Sequence, residues 1–225
     1  MSHSGQFGKL GAVQKHAIAD CRLYGFIDTA YLAGRDPGEV TRQLIAGGVD
    51  IIQVRAKNEK SARRLLLALA VTRAAEESPV PVIVNDDIAV AYGSRANGIH
   101  LGQEDWVGLP PATRHQKLSG LDFLGLSTHS LPQAIDAERD GANYIGVGPV
   151  FATGTKPGCA PVGLNLVRQI AGRITTPFFA IGGITLKNLD EVLAAGAKRI
   201  AVVSAILNAP DVTAAAKAFK DKLTA

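Results

Sequence analysis

Short runs of β-branched and aromatic residues alternate along the chain with longer stretches whose apolar positions recur every three to four residues. The short runs predict eight strands: Leu23–Ile27, Ile51–Val54, Val82–Val84, Gly98–Leu101, Phe123–Leu126, Tyr144–Val147, Phe178–Ile181 and Arg199–Val203. The longer stretches predict helices over Glu39 to Ala46, Ala62 to Ala75, Pro132 to Arg139, Leu186 to Ala195 and Val212 to Leu223. Between Trp106 and Ser119 the pattern weakens, and Pro110-Pro111 starts a short helix there. A glycine, a small residue and an apolar run return together at Gly47-Gly48, Gly98, Gly141 and Gly196. In each copy the glycine is expected to close a helix in the left-handed region before a buried parallel strand.

Eight strands with helices between them predict an α/β chain folded as a single (β/α)8 TIM barrel over residues 21–225. Residues 1–20 form a short N-terminal extension, polar and glycine-rich at first, with a short helix before Asp20. The competing architecture is an open, doubly wound sheet. The Gly-x-Gly-x-x-Gly that such a sheet carries after its first strand is absent from this sequence.

Composition narrows the function classes. The 225 residues are 47% hydrophobic and 20% charged, enough for one sizeable core. A net charge of +4 with 5% aromatics, and no basic run with interleaved aromatics, argues against nucleic-acid binding. No apolar segment reaches the ~18 residues of a membrane span. Cys21 and Cys159 are too few and too far apart for a disulfide framework or a zinc site, which points to a reducing, cytoplasmic setting. The sequence allows a homo-oligomer.

In a barrel of this type the site forms just after the strands, at their C-terminal ends. Every such end here carries polar groups or glycines: Asp28; Gln53, Arg55 and Lys57; Asn85 and Asp86; Gln103 and Asp105; Ser127 and His129; Thr153, Thr155 and Lys156; Gly182-Gly183; and Ser204. Phe151 to Lys156 gathers two hydroxyls and an ammonium around Gly154, chemistry suited to a phosphate or diphosphate. A solvated turn is the alternative reading of that loop. Asp86 and Asp105 follow adjacent strands and can converge on Mg2+, or each can cap its own helix, with Asp87 as a substitute cap. Arg55 and Lys57 alternate with Val54 and Ala56, so they face the same way as Gln53. With Lys156 they could neutralise a diphosphate, or form surface ion pairs. The glycines after the seventh strand and Ser204 after the eighth suit a second, metal-free monophosphate site. Two anion sites suggest the joining of two phosphorylated substrates with loss of pyrophosphate. His129 reads as structural and Cys159 as inert.

These residues resemble the thiamine-phosphate synthase family. The matching pieces are Gln53-Val54-Arg55-Ala56-Lys57, Val84-Asn85-Asp86, His100 to Asp105, Gly125-Leu126-Ser127, Gly148 to Lys156, Ile181-Gly182-Gly183-Ile184 and Val203-Ser204, in the family's order from about Leu23 to Leu207. The resemblance implies Mg2+-dependent transfer of a hydroxymethylpyrimidine group from its diphosphate to thiazole phosphate, or its carboxylated form, giving thiamine phosphate and pyrophosphate. It implies that Gln53, Val54, Arg55, Ala56, Lys57, Asn85, Ser127 and Lys156 bind the pyrimidine diphosphate. Among these, Arg55, Lys57, Lys156 and Ser127 would be catalytic, stabilising charge on the departing pyrophosphate. Asp86 and Asp105 would hold Mg2+. Thr153, Gly154, Thr155, Gly183, Val203 and Ser204 would bind the thiazole phosphate. Ala56 stands where the family often has Glu, and Ala152 where it often has Pro. Two rival readings are a thiazole tautomerase-like isomerase relying on a histidine and a non-catalytic phosphate-binding barrel.

Overall fold

The computed structural model describes residues 13–155 and 158–224. Its elements in chain order are β1 (Leu23–Asp28), α1 (Thr29–Leu32), α2 (Pro37–Ala46), β2 (Ile51–Arg55), α3 (Ser61–Ala74), β3 (Val82–Asn85) and α4 (Ile88–Gly93). They continue as β4 (Gly98–Leu101), α5 (Gln103–Gly108), α6 (Pro111–Leu118), β5 (Phe123–Thr128), α7 (Leu131–Arg139), β6 (Tyr144–Val147) and α8 (Gly163–Ala171). β7 (Phe178–Ile181), α9 (Leu189–Ala194), β8 (Ile200–Ala201), α10 (Ser204–Leu207) and α11 (Val212–Thr224) complete the chain. All strand pairs are parallel, each strand lies beside its sequence neighbours, and β8 closes on β1. The predicted TIM barrel is therefore the observed fold.

Burial explains why the strands read as near-continuous apolar runs. β1 is buried at all six positions and β2 at four of five, because one face fills the barrel and the other meets the helices. Helices use familiar start signals. Asp36 accepts from Glu39 N at 2.8 Å and Pro37 opens α2, while Ser130 and Pro132 do the same for α7. Expected left-handed residues appear at Gly48, Gly141 and Gly196, with φ of 84°, 82° and 98°. At the second copy of the unit, Arg95 adopts φ 56° instead, and Gly98 lies inside β4. Gly98 serves packing there: a Cβ would stand 2.3 Å from the Phe123 carbonyl oxygen.

Four differences from the sequence expectation have local causes. Residues 13–20 contain a turn, not a helix. Their polar groups bond to the loop before β3: Lys15 Nζ donates to the carbonyls of Ala75 and Ser78, and His16 N to that of Pro79. The stretch from Trp106 to Ser119 holds parts of two helices, because Leu109 and Pro110, each followed by a proline, are extended and part α5 from α6. β8 stops at Ala201, since the chain bends at Val203 into α10. Short helices α1 and α10, and the longer α8, have no predicted range, and α4 enters only as the helix that Asp86 or Asp87 would cap. α8 begins at Gly163 with φ 71°, a start that helix-start rules do not flag.

Candidate active site

A cleft enclosing about 900 Å3, its mouth included, opens at the C-terminal ends of the strands. That size suits a small-molecule site. Of the residues read as candidates, Gln53, Arg55, Asn85, Ser127, Thr153, Thr155, Gly183, Val203 and Ser204 line it. Val54 and Ala56 do not: both side chains are buried outside the cleft, which leaves Gln53 and Arg55 as the lining side chains of that stretch, and Lys57, Asp86 and Asp105 stand outside the lining, next to Asn85. Gly154 is exposed on the loop beyond the lining residues. Lys156 lies outside the described residues.

Arg55 is anchored more firmly than the sequence suggested. Parallel register places Asp28 of β1 directly beside Arg55 of β2. Arg55 Nη1 donates to Asp28 Oδ2 at 2.6 Å, and the carboxylate is 1% exposed. The other oxygen of Asp28 accepts from Ala30 N and caps α1. Arg55 Nη2 then reaches the Thr155 carbonyl at 3.3 Å, tying β2 to the loop after β6. Its positive charge is thus balanced by Asp28, and its two ends are fixed on separate strands' partners.

Asp86 and Asp105 converge. Asp87, not Asp86, caps α4 through Val90 N, so the Asp86 carboxylate has no part in that cap. Asp86 holds φ 65°, an uncommon left-handed position for a residue with a Cβ. Its backbone N–H donates to the His100 carbonyl at 2.9 Å. Asn85 Nδ2 donates to Asp86 Oδ2 at 2.5 Å, and Lys57 Nζ lies 3.5 Å from the same oxygen. Asp105 sits in the first turn of α5, where Gly102 is the cap residue, with its carboxyl beside that of Asp86. Burial and then the neighbouring Asp86 charge raise the Asp105 carboxyl above its ordinary value, with Lys57 opposing. Two carboxylates pressed together beside one ammonium form a place where added positive charge would be favourable.

The opposite rim is backbone-rich. Gly182 and Gly183 have φ of 101° and 64°, and a Cβ on Gly183 would stand 2.6 Å from the Ala152 carbonyl. Asn188 braces this turn, donating to the Gly183 carbonyl and accepting from Thr185 N. Thr153 Oγ1 accepts from Thr155 N at 3.2 Å, and Thr155 Oγ1 shares a hydrogen bond with Tyr31 at 3.0 Å. Ser204 opens α10 at the same edge.

Several lining groups were not legible as site residues. Tyr24, His100 and Tyr144 lie within strands and read there as packing. Outside the lining, Tyr31 bonds to Thr155, and Gln103, already read as a strand-end group, donates from Nε2 to the Ser127 carbonyl at 2.6 Å. A tyrosine hydroxyl inside an otherwise aliphatic strand was the available signal, since a buried phenol needs a partner. His129 lines the cleft with its ring bonded to the Gly148 carbonyl, and Cys159 is exposed. Among the described residues, no helix is long and apolar enough to cross a membrane.

The family model described as thiamine monophosphate synthase matches residues 23–206, which takes in every one of these cleft residues. The chain belongs to the thiamine monophosphate synthase family. It is a transferase. It is similar to thiamine-phosphate synthase of Chloroflexus aurantiacus, 42% identical over 204 residues covering 90% of this chain and 93% of the relative. The Shouchella clausii enzyme of the same name is 43% identical over 200 residues, covering 88% and 94%. Among solved structures, thiamine phosphate pyrophosphorylase from Pyrococcus furiosus matches with a TM-score of 0.79 at 31% identity, covering 91% of this chain and 96% of that one. The thiamine monophosphate synthase match and the barrel agree in extent: it begins at the first residue of β1 and ends within α10.

Proposed function

We propose that this enzyme transfers an aminopyrimidinylmethyl group from its diphosphate to the nitrogen of thiazole phosphate, or of its carboxylated form, releasing pyrophosphate. The observation that carries the reading is one cleft with two unlike polar rims. Asn85 lines one side and hydrogen-bonds to Asp86 just outside the lining, where Lys57 and Asp105 join it, while Thr153, Thr155, Gly183 and Ser204 edge the other side. The acidic rim would take a diphosphate with its cation, and the backbone-rich rim a monophosphate.

Asp86 and Asp105 would hold Mg2+. Their oxygen chemistry fits such an ion, and the Asp105 carboxyl is raised by burial and then by the Asp86 charge, a repulsion that a cation would relieve. Among the described residues, no group of three or more His, Cys, Asp or Glu is arranged to hold a metal, so an ion held by this pair would keep waters and substrate oxygens. When bound, it would supply charge stabilisation to the leaving group.

The protein's own part is positioning and electrostatics. The methylene C–O bond breaks with its electron pair leaving on the diphosphate oxygen, and the thiazole nitrogen forms the new C–N bond. Lys57 and Ser127 supply a cation and a hydroxyl to the departing anion, and Lys156 would add a second cation. Arg55, held by Asp28, keeps the loop after β6 in place through Thr155. No general base is needed, because the attacking nitrogen carries no proton to remove. A cytoplasmic setting suits the buried thiol of Cys21, which burial pushes up to about 12, and the exposed one of Cys159.

Incubation with both phosphorylated heterocycles and Mg2+, with thiamine phosphate read by fluorescence after oxidation, tests the reading. Product formation that stops on chelation is expected. Metal-free isomerisation of the thiazole alone, without pyrophosphate release, would replace it with the tautomerase reading.

A further inference from the structure

A line of hydrogen bonds crosses the barrel beneath the cleft. Gln53 Nε2 donates to the Tyr24 hydroxyl at 2.8 Å. Tyr24 and Tyr144 share a hydrogen bond at 2.8 Å, Tyr144 meets His100 Nδ1 at 3.2 Å, and His100 Nε2 meets Ser127 Oγ at 2.9 Å. All five residues line the cleft, and Gln53, Tyr24, Tyr144 and His100 are buried.

The space for this line comes from one missing side chain. Register sets His100 of β4 beside Gly125 of β5, and Gly125 beside Tyr144 of β6. A Cβ on Gly125 would stand 2.2 Å from the Tyr144 ring and 2.5 Å from His100 Nδ1. Gly125 therefore lets the two rings meet across the strand between them.

The direction of the line follows from counting protons. A phenol has one proton to donate. Tyr24 accepts from the Gln53 amide, and among its described hydrogen bonds the Tyr144 oxygen is the acceptor left for its own proton. Tyr144 then gives its own proton to His100 Nδ1. An imidazole that accepts at Nδ1 carries its proton on Nε2 and donates from there to Ser127 Oγ. The Ser127 oxygen thus accepts from the ring, which leaves its own proton for another acceptor. Burial raises both phenols well above their ordinary values, so the line keeps its protons throughout the neutral range.

We propose that His100 is a positioning residue, fixed as its neutral Nε2–H tautomer by the Tyr24–Tyr144 pair, and that it aims the Ser127 hydroxyl at the anion of the departing group. This rests on the function proposed above for what occupies the cleft, whereas the tautomer itself depends on the protein alone. Nothing is transferred along the line during turnover; it sets orientation.

The test has two parts. Nitrogen-15 NMR of the histidine rings, assigned with His100→Gln, reads the tautomer in the unliganded protein. An Nε2–H imidazole at His100 is expected, shifting toward a mixed tautomer in Tyr144→Phe. An Nδ1–H or doubly protonated ring at neutral pH overturns the proposal, whether or not the protein turns over the two heterocycles. Steady-state kinetics supply the second part. His100→Asn, which lacks a donor at the Nε2 position, should lower kcat by about 10–100-fold with little change in KM for the thiazole phosphate. His100→Gln, whose amide N–H reaches that position, should recover most of the loss. Equal losses in the two variants, both folded by circular dichroism, would overturn the positioning role. A wild-type protein inactive toward both heterocycles would overturn the proposed function instead, with the NMR result still deciding the tautomer.

Discussion

Arg55 and Asp28, neighbours across the first two strands, form an ion pair at 2.6 Å with side chains 12% and 1% exposed. The same carboxylate caps α1, so one buried group fixes a helix start, a cation and, through that cation, the loop carrying Thr155. Removing one partner of such a pair leaves the other charge uncompensated, at a cost of about 3–5 kcal/mol. Asp28→Ala is therefore expected to lower unfolding stability by about that amount, read from denaturant melts. Its KM for the thiazole phosphate should rise as well, because the Thr155 loop loses its brace. A variant as stable as the wild type would show that the pair does not hold the fold.

Asp105 gives a pH signature with a definite sign. Its folded carboxyl titrates above the ordinary value of 3.8 because burial and Asp86 disfavour its charge. Stability from the protonated form is present below 3.8 and is lost as pH rises through the raised folded value. Asp105→Asn removes that loss. Without metal, the variant should melt above the wild type at neutral pH, with the difference shrinking as pH falls toward 3.8. A variant that melts lower at neutral pH in metal-free buffer would contradict the repulsion.

Added Mg2+ should reverse the order of those two proteins. An ion bound only to the folded state stabilises it in proportion to its saturation. The wild type is expected to gain melting temperature with Mg2+, while Asp86→Asn and Asp105→Asn gain much less, and calorimetric titration should show the weakened binding directly. Equal gains in all three proteins would place the ion elsewhere.

Gly183 offers a test of the other rim. Its φ is 64°, and a Cβ added there would come within 2.6 Å of the Ala152 carbonyl oxygen, so Gly183→Ala must shift the turn or the loop it touches. KM for the thiazole phosphate is expected to rise about tenfold, equivalent to about 1.4 kcal/mol of lost binding. KM for the pyrimidine diphosphate should change little, since Asp86, Lys57 and Asn85 lie across the cleft. A change confined to the pyrimidine substrate would exchange the assignments of the two rims.

The eight strands, five main helices and the polar groups at the strand ends were legible from the order of residues, because burial imposes a local period on side chains. Asp86 beside Asp87 and the glycine pair Gly182-Gly183 were legible for the same local reason: caps and turns are written within a few residues. What the sequence by itself could not determine was which distant groups meet. The Asp28–Arg55 pair spans 27 positions and the Tyr24–Tyr144 bond spans 120. Such contacts depend on the register adopted when β8 closes on β1, and register is a property of the whole barrel, decided by how all its strands and helices pack at once. Closure also turned Gly125 from an unremarkable strand glycine into the gap through which His100 reaches Tyr144.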